Sequence, residues 1–97
     1  MALFPPVSMK NHSGSITEGG TAQWLFEQNE RPKAYFMFQN TSDTDMYLDF
    51  SDDLATEENG ILIAPGVAYE PPAGVIFDSR ASVLCATTDK TFVCKTA

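Results

Sequence analysis

Short runs of apolar residues, separated by clusters of turn residues, recur along the chain from residue 21 onward. Segments 34–39 and 46–50 are the clearest strands, because aromatic residues dominate the first and strict alternation places Met46, Leu48 and Phe50 on one face of the second. Between them, residues 40–45 are rich in Asn, Ser and Asp, whose side chains bond back to their own backbone in turns. The pattern predicts that the two strands form a hairpin.

Further turn signals predict an all-β fold. Residues 51–60 form an acidic loop, and Pro65-Gly66 after the short strand 61–64 fits a type II turn with a positive φ at the glycine. Seven or eight short strands, with no periodic helix, favour a small antiparallel β-sandwich or barrel. Its predicted core consists of Phe36, Phe38, Leu48, Phe50, Ile61, Ile63, Val83 and Phe92.

The N-terminal segment is unlike the rest of the chain. The proline pair holds it extended, so residues 1–13 are predicted to form an arm and residues 14–97 a single β-sandwich domain. The domain does not need the apolar side chains of the arm for its own core. We therefore expect the arm to bind a neighbouring subunit or partner through Phe4, Pro5, Pro6, Val7 and Met9.

The two cysteines lie in the last predicted hairpin, residues 81–95. A two-residue turn at Asp89-Lys90 would place Cys85 opposite Cys94 in a non-hydrogen-bonded pair, where side chains approach most closely. A cross-strand disulfide is one alternative. We favour two buried thiols, because the chain starts without a secretory signal pattern and we therefore expect it to be made in a reducing cytosol.

The charge of the chain limits the classes of partner that it can bind. The 97 residues carry a net charge of −7, and no base lies between Lys33 and Arg80. The excess of acidic residues argues against nucleic acid as a partner. No apolar run is long enough to span a membrane. The acids either keep the protein in solution or form a surface that docks on a basic partner. The candidate docking residues are Asp43, Asp45, Asp52, Asp53, Glu57 and Glu58.

The sequence contains no catalytic or cofactor motif. The single histidine, His12, is far along the chain from both cysteines, and no Gly-x-Ser-x-Gly segment is present. A small domain also has little room for a deep cleft, so we expect a non-enzymatic protein without cofactor or resident metal. Two alternatives stay open: calcium bound by the aspartates of 43–53, and a sugar-binding face lined by Trp24, Tyr47 and Tyr69.

Several strand and turn motifs between residues 14 and 95 resemble those of small virion proteins of tailed bacteriophages. These motifs are Gly19-Gly20-Thr21-Ala22-Gln23, the turn from Asn29 to Arg31, Phe38-Gln39-Asn40-Thr41-Ser42-Asp43 with Met46-Tyr47-Leu48-Asp49-Phe50, Gly60-Ile61-Leu62-Ile63-Ala64-Pro65-Gly66 with Tyr69-Glu70, and Cys85-Ala86-Thr87-Thr88 with Phe92-Val93-Cys94-Lys95.

The resemblance implies a β-rich accessory subunit of the virion, made in the host cytoplasm. Its expected role is capsid decoration, or cement, in which a homo-oligomer (a trimer is one candidate) binds the major capsid protein or another virion protein and stabilises the head. The alternative roles are a component of the head–tail junction, collar or tail, or a module that binds host glycans.

Overall fold

Nine strands and no helix make up the part of the chain that the computed structural model describes, residues 8–27, 30–32, 34–72 and 79–97. The strands are β1 (Lys10–Asn11), β2 (Gly14–Ser15), β3 (Gln23–Trp24), β4 (Phe36–Asn40), β5 (Met46–Asp49), β6 (Ile61–Ile63), β7 (Ala68–Tyr69), β8 (Ser82–Cys85) and β9 (Thr91–Thr96). The predicted all-β class is therefore confirmed, with slightly more strands than the seven or eight expected.

The strands form two antiparallel sheets that pack as a sandwich. The five-stranded sheet has the order β1-β9-β4-β7, and β2 also pairs with β9; the four-stranded sheet has the order β3-β8-β5-β6. From β2 onward the two orders are 2-9-4-7 and 3-8-5-6, which is the winding of a jelly roll. Most connections therefore cross from one sheet to the other.

Both predicted hairpins are wrong for this reason. β4 pairs with β7 and β9, whereas β5 pairs with β6 and β8, so 34–39 and 46–50 lie in different sheets. β8 and β9 are separated in the same way. Cys85 consequently lies opposite Met46, and Cys94 lies opposite Phe38, rather than opposite each other. Alternation identifies the buried face of a strand but not the strand beside it.

The core lies between the sheets and follows the predicted alternation closely. Six of the eight predicted core residues are buried, whereas Phe50 only packs against the core and Ile61, on the edge strand β6, is 38% exposed. Ile16 and Met46 are fully buried although they were not predicted. The confirmed core residues are Phe36, Phe38, Leu48, Ile63, Val83 and Phe92.

The segment assigned to the arm is partly a strand. Lys10 and Asn11 pair with Thr96 and Lys95 of β9, so the predicted boundary after residue 13 falls within the sheet. Met9 is exposed, with 52% of its surface accessible. Phe4, Pro5, Pro6 and Val7 lie outside the described residues.

Both cysteines are buried free thiols, which is the alternative favoured from the sequence. Burial raises the pKa of the Cys94 thiol to about 12, although Lys95 opposes the shift.

Because the thiolate is the nucleophile, we expect Cys94 to resist iodoacetamide at pH 8 in the folded protein and to react once the chain is unfolded. Mass spectrometry of the alkylated protein measures this. Native labelling of Cys94 at the rate of the unfolded chain would contradict the prediction.

Candidate functional site

The outer face of the four-stranded sheet carries a row of apolar side chains. Tyr47 of β5 lies opposite Leu62 of β6 on one side and Leu84 of β8 on the other. Since Met46 and Leu48 point into the core, alternation turns this row outward. Leu62 is 54% exposed, and Tyr47 and Leu84 are half-buried. The row therefore crosses three neighbouring strands of the outer face.

The acidic loop 51–60 is anchored against the same face. The N–H of Ala55 donates to the Ser82 hydroxyl at 2.8 Å, and the N–H of Gly60 donates to the Thr56 carbonyl at 2.8 Å. A Cβ atom at Gly60 would stand 2.7 Å from the Cβ of Tyr47, so this close approach requires glycine. The loop therefore holds its carboxylates beside the apolar row.

The six predicted docking acids are all exposed, but they differ in their partners. Asp43 forms an ion pair with Lys90 at 2.7 Å, and Asp52 lies 3.9 Å from Arg31. Within the described residues, the other four carboxylates have no hydrogen-bond or ion-pair partner. They are Asp45, at the start of β5, and Asp53, Glu57 and Glu58, in the loop. We call these four carboxylates, together with Tyr47, Leu62 and Leu84, the acidic face.

The Asp43 carboxylate already has partners within the chain, so we leave it out of the docking surface. The hydrogen bond from Lys90, with a second from Thr44, holds the pKa of its carboxyl below the ordinary value. The stabilisation from this pair is present above the unfolded-state pKa of about 4 and is lost as the pH falls through the lower folded-state pKa. It is small, because the pair is exposed to solvent.

We expect Lys90→Met to raise the pKa of Asp43 towards its ordinary value, since the variant removes the cation and keeps the apolar stem. NMR titration of the Asp43 carboxyl carbon measures the shift. Lys95→Met is the matched control, because Lys95 lies near the far end of β9, opposite Met37, whereas Lys90 directly precedes β9 at the end beside the loop that carries Asp43. An unchanged Asp43 titration in Lys90→Met would show that the ion pair does not persist in solution.

The structure places His12 in a cleft that sequence reasoning did not find. Its Nε2 atom lies 2.9 Å from the Thr96 hydroxyl and 3.9 Å from the Glu30 carboxylate, and its ring packs on Phe26. The cleft has a volume of about 260 Å³. The pairing of β1 with β9 brings His12 beside Thr96, and Phe26 and Glu30 reach the cleft from the segment after β3, so no local motif signals it. The Glu30 carboxylate is already balanced by Lys10 at 3.9 Å.

Two of the three aromatic residues considered for sugar binding share a sheet face: Trp24 lies opposite Ser82, which lies opposite Asp49, so Trp24 stands on the same outer face as Tyr47. The guanidinium carbon of Arg80 lies 3.7 Å from the centre of the Trp24 ring and covers one of its faces. Tyr69 packs against the core and lies 5.2 Å from the ring of Phe50. Trp24 and Tyr47 thus share the outer face on separate strands, whereas Tyr69 lies in the other sheet, opposite the buried Phe38.

The aspartates considered for calcium are also separated. Asp43 and Asp52 lie in the loops at opposite ends of β5, each next to a basic side chain. Across residues 8–27, 30–32, 34–72 and 79–97, no group of three or more His, Cys, Asp and Glu side chains is arranged to hold a metal ion. In the same residues, no helix is long and apolar enough to cross a membrane.

Comparisons of the chain with protein families, with curated proteins and with solved structures find no match. The acidic face is therefore characterised by its own chemistry, an exposed aliphatic surface with carboxylates that have no local partner among the described residues.

Proposed function

We propose that this chain is a non-enzymatic structural protein of a tailed-bacteriophage virion, made in the host cytoplasm. In this role it acts as a capsid decoration or cement protein. The acidic face is the observation that carries the proposal: it docks on a basic patch of the major capsid protein or of another virion protein. Neither nucleic acid nor a membrane is part of this role.

The chemistry of the acidic face suits a docking surface. Leu62 and Tyr47 offer apolar area, and the exposed carboxylates of Asp45, Asp53 and Glu58 offer the charged groups that a polar rim requires. Rim charges contribute mainly to orientation and association rate, whereas the apolar centre contributes most of the affinity. Many copies on a lattice multiply a weak single contact.

Two further observations support the assignment to a virion. Jelly-roll sandwiches occur in viral capsid proteins, although also in lectins and other classes, so the fold alone does not decide function. The resemblance of residues 14–95 to small phage virion proteins rests on independent features, namely strand and turn motifs.

The first test is the copy number of the protein in purified virions of the phage that encodes it. Quantitative mass spectrometry should find it at a stoichiometry close to that of the major capsid protein. The few copies typical of a connector or tail ring would support the head–tail or tail alternative over decoration. Absence from the virion would overturn the proposal.

A second test locates the contact. Particles lacking the protein are incubated with purified wild type or with Asp45→Lys/Glu58→Lys, and retention after sedimentation is measured. The double reversal should reduce retention at least tenfold at low salt, because it places like charges against the basic patch. Glu18→Lys/Glu27→Lys is the matched control, since both residues are exposed and lie in other loops. Equal loss in both variants would show that net charge, rather than the acidic face, governs binding.

A further inference from the structure

One side of the sandwich ends in two uncharged edge strands. β6 is the last strand of the four-stranded sheet and β7 is the last strand of the five-stranded sheet, and only the short turn 64–67 separates them. The turn is the predicted one, with φ of 81° at Gly66 and a 3.0 Å hydrogen bond from Val67 N–H to the Ala64 carbonyl. No charged residue occurs between Glu58 and Glu70.

Exposed aliphatic side chains concentrate on this side. Leu62 is 54% exposed, Val67 45% and Ile61 38%. An edge strand also directs the N–H and C=O groups of every second residue away from its partner, where another chain can pair with them. Natural proteins protect such edges with lysine, proline or a covering segment. β6 itself contains neither lysine nor proline.

The opposite side of the sandwich is protected. The Gln23 side chain of β3 donates to the Ser15 carbonyl of β2 at 3.1 Å and accepts from the Thr17 N–H at 3.0 Å. It thereby joins the two edges, while Lys10 places a charge on β1. Among the described residues, the β6 edge is therefore the side of the sandwich that lacks such protection.

We propose that β6 pairs antiparallel with β6 of a second copy of this chain, with Leu62 at the two-fold axis. The two four-stranded sheets then become one eight-stranded sheet. The proposal does not depend on attachment to a virion. It makes the contact isologous, so each copy presents the same residues to the other.

The charge pattern decides the direction of pairing. A parallel arrangement would bring Glu57 and Glu58 of the two copies together. An antiparallel arrangement about Leu62 instead places Glu58 of one copy towards Gly66 of the other, at the uncharged turn. Only the antiparallel arrangement avoids repulsion between like charges next to the paired β6 strands.

The contact is small, so the dimer is weak. β6 has three residues, and the edge buries less than the ~1,600 Å² of a standard stable interface. We therefore expect a monomer–dimer equilibrium with a dissociation constant between micromolar and millimolar. Leu62 and Tyr47 of the two copies would form one continuous apolar row, which doubles the area of the acidic face.

The test uses the fact that Leu62 of one copy would lie opposite Leu62 of the other. Sedimentation velocity of the full chain over a concentration series should show dimer formation by the wild type. Leu62→Glu and Leu62→Lys should each stay monomeric, because each places like charges across the two-fold axis. A mixture of the two variants should restore the dimer, because opposite charges then face each other. Met9→Lys is the control: it is an equally exposed apolar position on the other side, and it should dimerise as the wild type does.

Each other result contradicts the proposal. A wild type that is monomeric at millimolar concentration, or that forms a trimer, excludes the two-fold contact. Failure of the mixture to dimerise excludes Leu62 from the axis. Equal disruption by Met9→Lys would show that added positive charge alone controls association. Matching thermal unfolding of all variants verifies that each is folded, as expected for substitutions at exposed sites.

Discussion

Phe38→Ala should lower the free energy of unfolding by about 3–5 kcal/mol, a large share of the ~5–15 kcal/mol that holds a small domain folded. Phe38 is completely buried at the centre of β4, and its ring stacks on Phe92 with centroids 5.4 Å apart. Cys94 and Tyr69 lie opposite it on the two neighbouring strands. The truncated side chain would leave a cavity that these three neighbours cannot close without moving their backbones.

Denaturant unfolding followed by the fluorescence of Trp24 measures this loss. Met37→Ala is the matched control, because Met37 is the next residue on the same strand and is only half-buried on the outer face. It should cost less than about 1 kcal/mol. A similarly small loss for Phe38→Ala would place its ring outside the core.

Much of the core follows from local pattern alone. Phe36 and Phe38 alternate with Met37 and Gln39, and the buried and half-buried positions of β4 alternate in the same order. The turn at Pro65-Gly66 was equally predictable, since φ at its glycine is positive as a type II turn requires. Period and turn chemistry are properties of a few adjacent residues, so the sequence displays them directly.

Strand pairing could not be obtained in this way. The segment 41–45 has the composition of a tight turn, yet it crosses from one sheet to the other. Whether such a segment folds back or crosses depends on which distant strand covers the exposed backbone of β4. Here β9, from the end of the chain, occupies that place and separates Cys94 from Cys85. The apolar row of the acidic face depends on the same non-local register, because Leu62, Tyr47 and Leu84 meet only across three strands.

Leu62 is part of both proposed surfaces, the acidic face and the dimer contact at the β6 edge. Leu62 belongs to the acidic face through its neighbour Tyr47 and to the open edge through its position on β6. Its placement depends on how β6 and the turn 64–67 are fixed to the opposite sheet. Asn40, the last residue of β4, makes that attachment.

Asn40 is fully buried, and its side chain uses all of its hydrogen-bonding capacity. The Nδ2 group donates to the Thr44 carbonyl at 2.7 Å and to the Ile63 carbonyl at 2.8 Å. The Oδ1 atom accepts from the N–H of Ser42 at 2.9 Å and from its hydroxyl at 2.7 Å. The Asn40 backbone also bonds to Gly66 and Val67. One side chain and its backbone thus connect β4 to the loop 41–45, to β6 and to the turn.

Asn40→Ala should therefore cost about 2–4 kcal/mol, because it leaves the buried Ile63 carbonyl and the Ser42 donors without their partner. Equilibrium unfolding measures the loss. Gln39→Ala is the control: Gln39 precedes Asn40 on the outer face, its single side-chain bond to the Gly66 carbonyl is 3.3 Å long, and its loss should stay below about 1 kcal/mol. Equal losses in the two variants would contradict the role of Asn40.

Asn40→Asp separates hydrogen bonding from shape. The carboxylate fills the same space and still accepts from Ser42, but it turns an oxygen towards the Thr44 and Ile63 carbonyls. Burial and these carbonyls raise the pKa of the new acid in the folded state. The free energy of unfolding of Asn40→Asp, relative to wild type, should therefore be highest below the unfolded-state pKa of about 4. It should fall as the pH rises through the raised folded-state pKa. At pH 7 the variant should be at least as unstable as Asn40→Ala. A stability difference from wild type that does not change between pH 3 and pH 7 would show that water, rather than the two carbonyls, faces this side chain.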